Sequence, residues 1–444
     1  MPAPTRRRPA PAPRADAPLP LSHLLIHTAD AVRAVSGGRS LTDALAACPT
    51  PARPGTQALS FAVMRRLGLA RALVAYLVPK RPAPWVEALL VSATALACGD
   101  EYPAHTLVDQ AVQAARRKAG PASGLVNAVL RRLLREGPAL REAVATSPEA
   151  RWNHPAWWVE RLQRDWPTEA ERLLEGNQHA GPMFLRVNAR QHTRAAYQAL
   201  LNDAGLASHA VGDGMALVLE RAAPVHLLPG FDTGAVSVQD LSAQQAAELL
   251  LQAGLRAGAR VLDACSAPGG KTAHLLEAQD LDLLALDVDT DRLARVDDTL
   301  ARLRLSARTQ VADAARPDTW WDGRPFEAVV LDAPCSASGI VRRHPDVRWL
   351  RRPGDIGALA RTQDALLDAL WPLVAPGGLL LYCTCSVFRA EGEDRIAAFL
   401  QRQPGALRLP APGHLLPVIE YPDTAAVGDG FYYALLRKPG PIPT

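Results

Sequence analysis

The residues with the most chemistry in this 444-residue chain are three cysteines and three aspartates that follow short apolar runs. Cys335 stands in "DAPCSASG", and Cys383 and Cys385 flank a threonine in "YCTCS". Asp287, Asp313 and Asp332 close the stretches "LLALD", "ARTQVAD" and "FEAVVLD". Upstream lies "DACSAPGGKT", Asp263 to Thr272, which has the outline of a phosphate loop. Cys265, however, occupies the place where such a loop needs its first glycine, and the G-x-G-x-x-G spacing of a dinucleotide site is missing. Gly269 and Gly270 still allow backbone to approach a ligand closely.

Asp287 follows Gly269 by 18 residues, near the ~20 at which a Rossmann-type sheet sets an acid on a ribose hydroxyl. A nucleoside is therefore expected. A diphosphate would be repelled by Asp313 and Asp332, whereas S-adenosyl-L-methionine has an adenosine, no phosphate, and two cationic centres that carboxylates attract. Taken singly, each aspartate could cap a helix instead. Two thiols converging on a methyl donor suit methylation of carbon 5 of cytosine, a poor nucleophile until a thiolate adds to carbon 6. The thiol must then be held as thiolate, because its ordinary pKa of about 8.5 leaves it protonated at neutral pH. Asp332, three residues before Cys335, is placed to stabilise such an adduct, and Cys335 and Cys385 are not ranked by sequence alone.

The elements that position these residues repeat strand, loop and helix from about residue 241. The runs "ARVLDA", "LLALDV", "ARTQVAD", "FEAVVLDAP" and "GGLLLYCT" read as buried strands, separated by helices such as "TDRLARVDDTLARL". That alternation predicts a parallel sheet with helices on both faces and ligands beyond the carboxyl ends of its strands. Residues 19–150 are periodic at three and four throughout, an all-helical domain. In "GLVNAVLRRLLRE", Leu125, Val129, Leu133 and Leu134 are expected in the core. Arg131, Arg132 and Arg135, with Arg116, Arg117 and Lys118, then become candidate phosphate contacts or a solvated face. Residues 151–240 read as a small α+β connector, its cluster of tryptophans available for stacking on RNA bases or for packing.

Residues 1–150 carry 19 Lys+Arg against 10 Asp+Glu, a charge of +9, and the remaining 30 against 35 give −5. A basic first third attached to an acidic remainder suits a polyanion grip joined to a working part. Residues 1–18, "MPAPTRRRPAPAPRADAP", read as a disordered basic leader without the apolar core of a secretory signal. No run approaches a membrane span, so a cytoplasmic protein with free thiols is expected. "CTC" has no second ligand pair, and no metal is expected.

The motifs "DACSAPGGKT", "LDAPCSASGIVRRHPDVRWLRR", "LLYCTCS" and "DGFYYALLRK" resemble, in order, the Sun branch of the Nop/Sun family of RNA 5-methylcytosine methyltransferases, bacterial members of which act on 16S ribosomal RNA. The helical first third is similar to the antitermination factor NusB. The resemblance implies three parts: an all-α NusB-like RNA-binding domain, an α+β connector, and an α/β Rossmann-like class I methyltransferase domain over 241–444. It implies Cys385 as nucleophile and Cys335 as the thiol that aids release. It also implies donor contacts from Cys265, Ser266, Ala267, Pro268, Gly269, Gly270, Lys271, Asp287, Asp313 and Asp332. Three departures stand out: Ser266 for the usual alanine, Cys383 for alanine or serine, and "VFRAEGEDR", with Gly392, for a proline-glutamate-rich helix start. The arginines of "GIVRRHPDVRWLRR" are expected on RNA phosphates, with Trp349 on a base, or else the stretch is a basic loop at the surface. The expected partner is 16S ribosomal RNA, met by a monomer. Methylation of transfer RNA, or RNA binding without turnover, are the competing readings.

Overall fold

The computed structural model describes residues 19–99, 101–418 and 427–440, so the leader expected over 1–18 lies outside it. The chain divides after Asn153 into two compact units.

The first unit is helical, as its periodicity predicts. Pro84–Ala97 is its centre, with every residue from Ala88 to Leu96 buried. More amphipathic helices surround it, including Leu21–Ser36, Ala104–Ala119 and Ser123–Val144. The last of these corrects a detail. Val126, Val129, Leu130 and Leu133 are buried, while Leu125 and Leu134 are 37% and 41% exposed. At 100° per residue the stripe centred on Val126 and Leu133 leaves both roughly 80–100° to its sides. Arg116, Arg117, Arg131, Arg132 and Arg135 are exposed, and Lys118 pairs with Asp30 at 2.6 Å. Among the described residues no helix is long and apolar enough to cross a membrane.

The second unit holds two sheets. Strands β1 (Met183–Val187), β2 (Ser208–Ala210), β3 (Ala216–Leu219) and β4 (Val236–Val238) form a small antiparallel sheet in the order β2-β3-β1-β4. Helix Arg194–Asp203 packs on it. The large sheet contains β5 (Arg260–Asp263), β6 (Asp282–Asp287), β7 (Arg308–Val311), β8 (Phe326–Asp332), β9 (Val374–Thr384), β10 (Leu407–Leu415) and β11 (Phe431–Arg437). Its order is β10-β11-β9-β8-β5-β6-β7. The five expected strands are parallel. The sheet is nonetheless mixed, because β10 and β11 add an antiparallel edge beyond β9.

Successive residues of a strand point to opposite faces, and both faces are apolar. Leu262, Leu286, Val329, Leu331 and Leu380 enter one core with Leu367 and Phe399. Val261, Ala285, Val330 and Leu381 enter the other with Leu275 and Val296. The chain runs outward from β5 to β7, then crosses back to β8, so the strand order reverses between β5 and β8. That switch point is where a ligand crevice opens beyond the carboxyl ends of the strands.

The tryptophans of the connector pack rather than stack outward. Trp158 is fully buried, with its ring 5.0 Å from that of Phe388. Trp166 donates through its indole N–H to the Val387 carbonyl at 2.7 Å. Both anchors lie just past Cys385, so the start of the second unit backs that loop.

Candidate active site

The loop after β5 is shaped by a left-handed residue. Gly269 has φ of 96°, and a Cβ there would come within 3.2 Å of the Val296 backbone, so only glycine fits. Helix Gly270–Ala278 starts immediately afterwards. Ser266 closes the turn from the other side, its amide and hydroxyl both donating to the Leu286 carbonyl on β6, at 2.8 and 3.0 Å. The serine that departs from the family pattern thus ties the loop to its neighbouring strand.

Two further bonds reach out of that helix. Thr272 donates to the Asp263 carboxylate at 2.6 Å, and the Lys271 ammonium donates to Asp332 at 2.6 Å. Burial opposes the charge of Lys271, but Asp332 outweighs it and holds the ammonium protonated, well above the usual lysine value. Asp263, fully buried, has its carboxyl pushed up to about 6 by burial, with Thr272 opposing.

A cavity of about 200 Å³ opens at this point. Of the expected donor residues, Cys265, Ser266, Ala267, Pro268, Gly270, Lys271 and Asp332 line it. Asp263 does too, with Val238, Gln239 and Ala243 from β4 and the helix after it. Sequence reading singled out none of these four as ligand contacts. Asp263 was visible inside the motif, while the other three sit at the end of the connector, where no motif marks them. Gly269, Asp287 and Asp313 do not line the cavity. Asp287 is buried and accepts from the amides of Ala267 and Asp289 at 3.2 and 3.1 Å. Asp313 is exposed and accepts from the Ala315 amide at 2.9 Å.

The thiols stand just beyond the ends of the adjacent pair of strands. Strands β8 and β9 run parallel with Asp332 opposite Cys383, so the loops carrying Cys335 and Cys385 leave the sheet side by side. Their sulfurs are 3.4 Å apart and both residues are half-buried. The bond to Cys385, then burial, and then the charge of Glu391 hold the Cys335 thiol well above the usual cysteine range. Cys335 is thus held as a thiol. Cys383 is buried in the core, its sulfur 3.7 Å from an Asp332 oxygen.

Glu391 is a further residue that sequence reading missed. Its carboxylate is fully buried and accepts from the Ser336 amide at 2.8 Å, the Ser336 hydroxyl at 2.5 Å and the Ser386 hydroxyl at 2.6 Å. The odd segment "VFRAEGEDR" folds as a short 3₁₀ turn, Arg389–Glu391, before helix Glu393–Arg402 starts.

The basic loop beside Cys335 differs from expectation. Arg342 and Arg348 are 1% and 0% exposed, and they brace the interior instead of offering themselves to phosphates. Arg342 pairs with Asp429 at 3.0 Å, and Arg343 joins Asp429 to Asp240, the latter at 2.7 Å. Arg348 donates to the Asn177 carbonyl at 2.9 Å, and Arg351 to the carbonyls of Cys335 and Ser336 at 3.1 and 3.0 Å. A guanidinium has five donors in a rigid fork, so Arg342 gathers the Val427 and Gly428 carbonyls while the Asp429 carboxylate offsets its burial. Arg352 and His344 are exposed.

Comparison with known proteins finds three domain families in succession along the chain. Residues 251–437 match the model of the 16S rRNA methyltransferase RsmB/F family, residues 154–226 that of the RsmF/B-like ferredoxin-like domain, and residues 28–135 that of the NusB family. Ribosomal RNA small subunit methyltransferase B of Vibrio cholerae is 42% identical over 414 residues, covering 90% of this chain and 94% of that one. Its Pseudomonas putida namesake is 45% identical over 371 residues, covering 80% and 82%. Among solved structures, PH0851 superimposes with a TM-score of 0.76 at 24% identity, over 94% of this chain and 99% of the other. A methyltransferase homologue from Pyrococcus horikoshii gives 0.55 at 25% identity, over 66% and 99%. Identity of this order along nearly the whole length, with all three domain models matched in sequence order, places the chain in the 16S rRNA methyltransferase RsmB/F family.

Proposed function

We propose that this protein, a monomer working in the cytoplasm, methylates carbon 5 of a cytosine in 16S ribosomal RNA through a temporary bond between Cys385 and carbon 6. The observation that carries this reading is the pair of sulfurs 3.4 Å apart, on strands next to a cavity lined by Lys271 and Asp332. The cavity suits S-adenosylmethionine. It offers carboxylates at Asp263 and Asp332 and apolar walls at Val238 and Ala243, and its loop lacks the glycines that would wrap a pyrophosphate. When bound, that donor supplies an electrophilic methyl group on a cationic sulfur.

The protein's own residues do the rest. The Cys385 thiolate adds to carbon 6, and the electron pair of the broken double bond moves to carbon 5, which takes the methyl group. Cys335, held as a thiol, then hands its proton to the departing Cys385 sulfur as it takes the proton from carbon 5, and the ring double bond re-forms. The cytosine must be single-stranded or unstacked to reach the sulfurs. Asp287 and Asp313, at the ends of β6 and β7, serve the adenosine end of the donor, and Asp332 serves the donor cavity. The exposed arginines of the helical unit provide the sequence-independent grip on RNA.

Methyl transfer from labelled donor to naked 16S RNA, with transfer RNA as comparison, tests the substrate, and bisulfite mapping finds the base. Cys385→Ala is expected to abolish transfer while donor affinity stays within about twofold, and Cys335→Ala to leave a protein–RNA adduct that survives denaturing electrophoresis. Transfer by Cys385→Ala together with its loss in Cys335→Ala would reverse the assignment.

A further inference from the structure

Ser336 and Ser386 each immediately follow one of the paired thiols, and one carboxylate holds both. Glu391 accepts from the amide and hydroxyl of Ser336 and from the hydroxyl of Ser386, all between 2.5 and 2.8 Å. Its own backbone carbonyl is fixed by the Tyr382 hydroxyl of β9 at 2.8 Å, so the clamp stands on the sheet. A fully buried carboxylate is costly unless its hydrogen bonds are all made. An apolar residue would fill the space more cheaply, so the charge has to be explained by what it holds.

The two loops do not depend on it equally. Cys385 continues directly from β9, whose last residue, Thr384, is paired with Tyr432 of β11, and the Cys385 carbonyl accepts from the Gly339 amide at 2.9 Å. Cys335 lies three residues beyond the end of β8, and its loop is held by Glu391 at the amide and hydroxyl of Ser336 and by Arg351 at the carbonyls of Cys335 and Ser336.

We infer that Glu391 is a positioning residue that keeps the Cys335 sulfur against Cys385 and so governs the release half of the reaction. This rests on the thiol roles proposed above. A residue that merely supports the fold would, when replaced, lower adduct formation and release together. Loss of the Glu391 clamp should separate them, because Cys385 stays at the end of its strand, while the Cys335 loop, still tied by Arg351 at its carbonyls, loses its anchor on the amide and hydroxyl of Ser336 and shifts. A displacement of about 1 Å costs on the order of 10²-fold in a proton-transfer step.

The test uses the full chain with 16S RNA and donor, measuring methyl turnover, adduct on denaturing gels and donor affinity. Glu391→Ala is expected to accumulate protein–RNA adduct while turnover falls on the order of 10²-fold and donor affinity stays unchanged. Glu391→Gln keeps one accepting oxygen for the Ser336 amide and should fall between this and the unsubstituted protein; it also serves if the alanine variant does not fold. Parallel loss of adduct and turnover, or full turnover in both variants, overturns the inference. Cys335→Ala is run alongside. Adduct there but none in the Glu391 variants rejects the clamp alone, whereas no adduct in Cys335→Ala rejects the thiol roles themselves.

Discussion

Asp263 shows how a single buried group carries a measurable pH signature. Its carboxyl, ordinarily at 3.8, is pushed up to about 6 by burial, against the Thr272 hydroxyl bond. Between those values the folded protein binds more proton than the unfolded chain, so this group's cost to stability is absent at low pH and grows as pH rises through about 6. Asp263→Asn should therefore gain up to about 3 kcal/mol relative to the unsubstituted protein between about pH 4 and 7, in denaturant unfolding without donor. A difference that stays constant over that range would show the carboxyl is not buried in this way. At this scale the sequence was legible wherever residue type itself announces chemistry. Cys335 and Cys385 stand 3.4 Å apart and Lys271 meets Asp332 at 2.6 Å, whereas Asp287 and Asp313 lie off the cavity. Glu391 was illegible, because its partners Ser336 and Ser386 lie 55 and 5 residues away and nothing in "VFRAEGEDR" distinguishes a clamp from a helix start. The arginines of "GIVRRHPDVRWLRR" misled for the same reason, since their acceptors, such as Asp429 and Asp240, sit 87 and 103 residues off.

Among elements, the decisive joint is between β1 of the small sheet and helix Gly270–Ala278, which begins the donor loop's far side. Arg186 and Glu277, 1% and 3% exposed, meet in a two-pronged pair with both bonds at 2.8 Å. Arg186 also donates to the Gly270 carbonyl at 3.1 Å and to Gln239, which lines the cavity. The connector strand is thus fastened to the first turn of the donor helix. Removing one partner of such a buried pair strands the other charge, so Arg186→Met should cost about 3–5 kcal/mol in chemical denaturation and weaken donor binding. Adding Glu277→Leu should restore most of the stability, and a single variant as stable as the unsubstituted protein would contradict the clamp. Four of the five parallel strands were readable because burial on both faces makes each a largely apolar run, whereas β7, RTQV, is an edge strand with three of its four residues exposed, not the buried strand expected there. The antiparallel edge was not readable. No residue of β10 is buried, so the strand carries no apolar run, and β11 was met only as part of a motif.

For the whole molecule, the charge division between the first 150 residues, +9, and the remainder, −5, falls close to the boundary between the two compact units. The exposed arginines of the helical unit and the thiol pair of the second unit are the two ends of one account, in which RNA is held by backbone charge and modified by sulfur. The order of domains was legible because helical periodicity, a mixed stretch and strand–helix alternation follow one another along the chain. The contacts that lock the tryptophans behind the Cys385 loop were not, since packing and base stacking ask for the same residue type. The central claim is one covalent bond, and it can be intercepted in the intact protein. A 16S RNA carrying 5-fluorocytosine at the target cannot lose its carbon 5 substituent as a proton, so the adduct should persist in the presence of donor. Digestion with nuclease and protease followed by mass spectrometry should then find the methylated fluorocytosine on the peptide containing Cys385. The same mass on the peptide containing Cys335, or no linked peptide at all, would contradict the account.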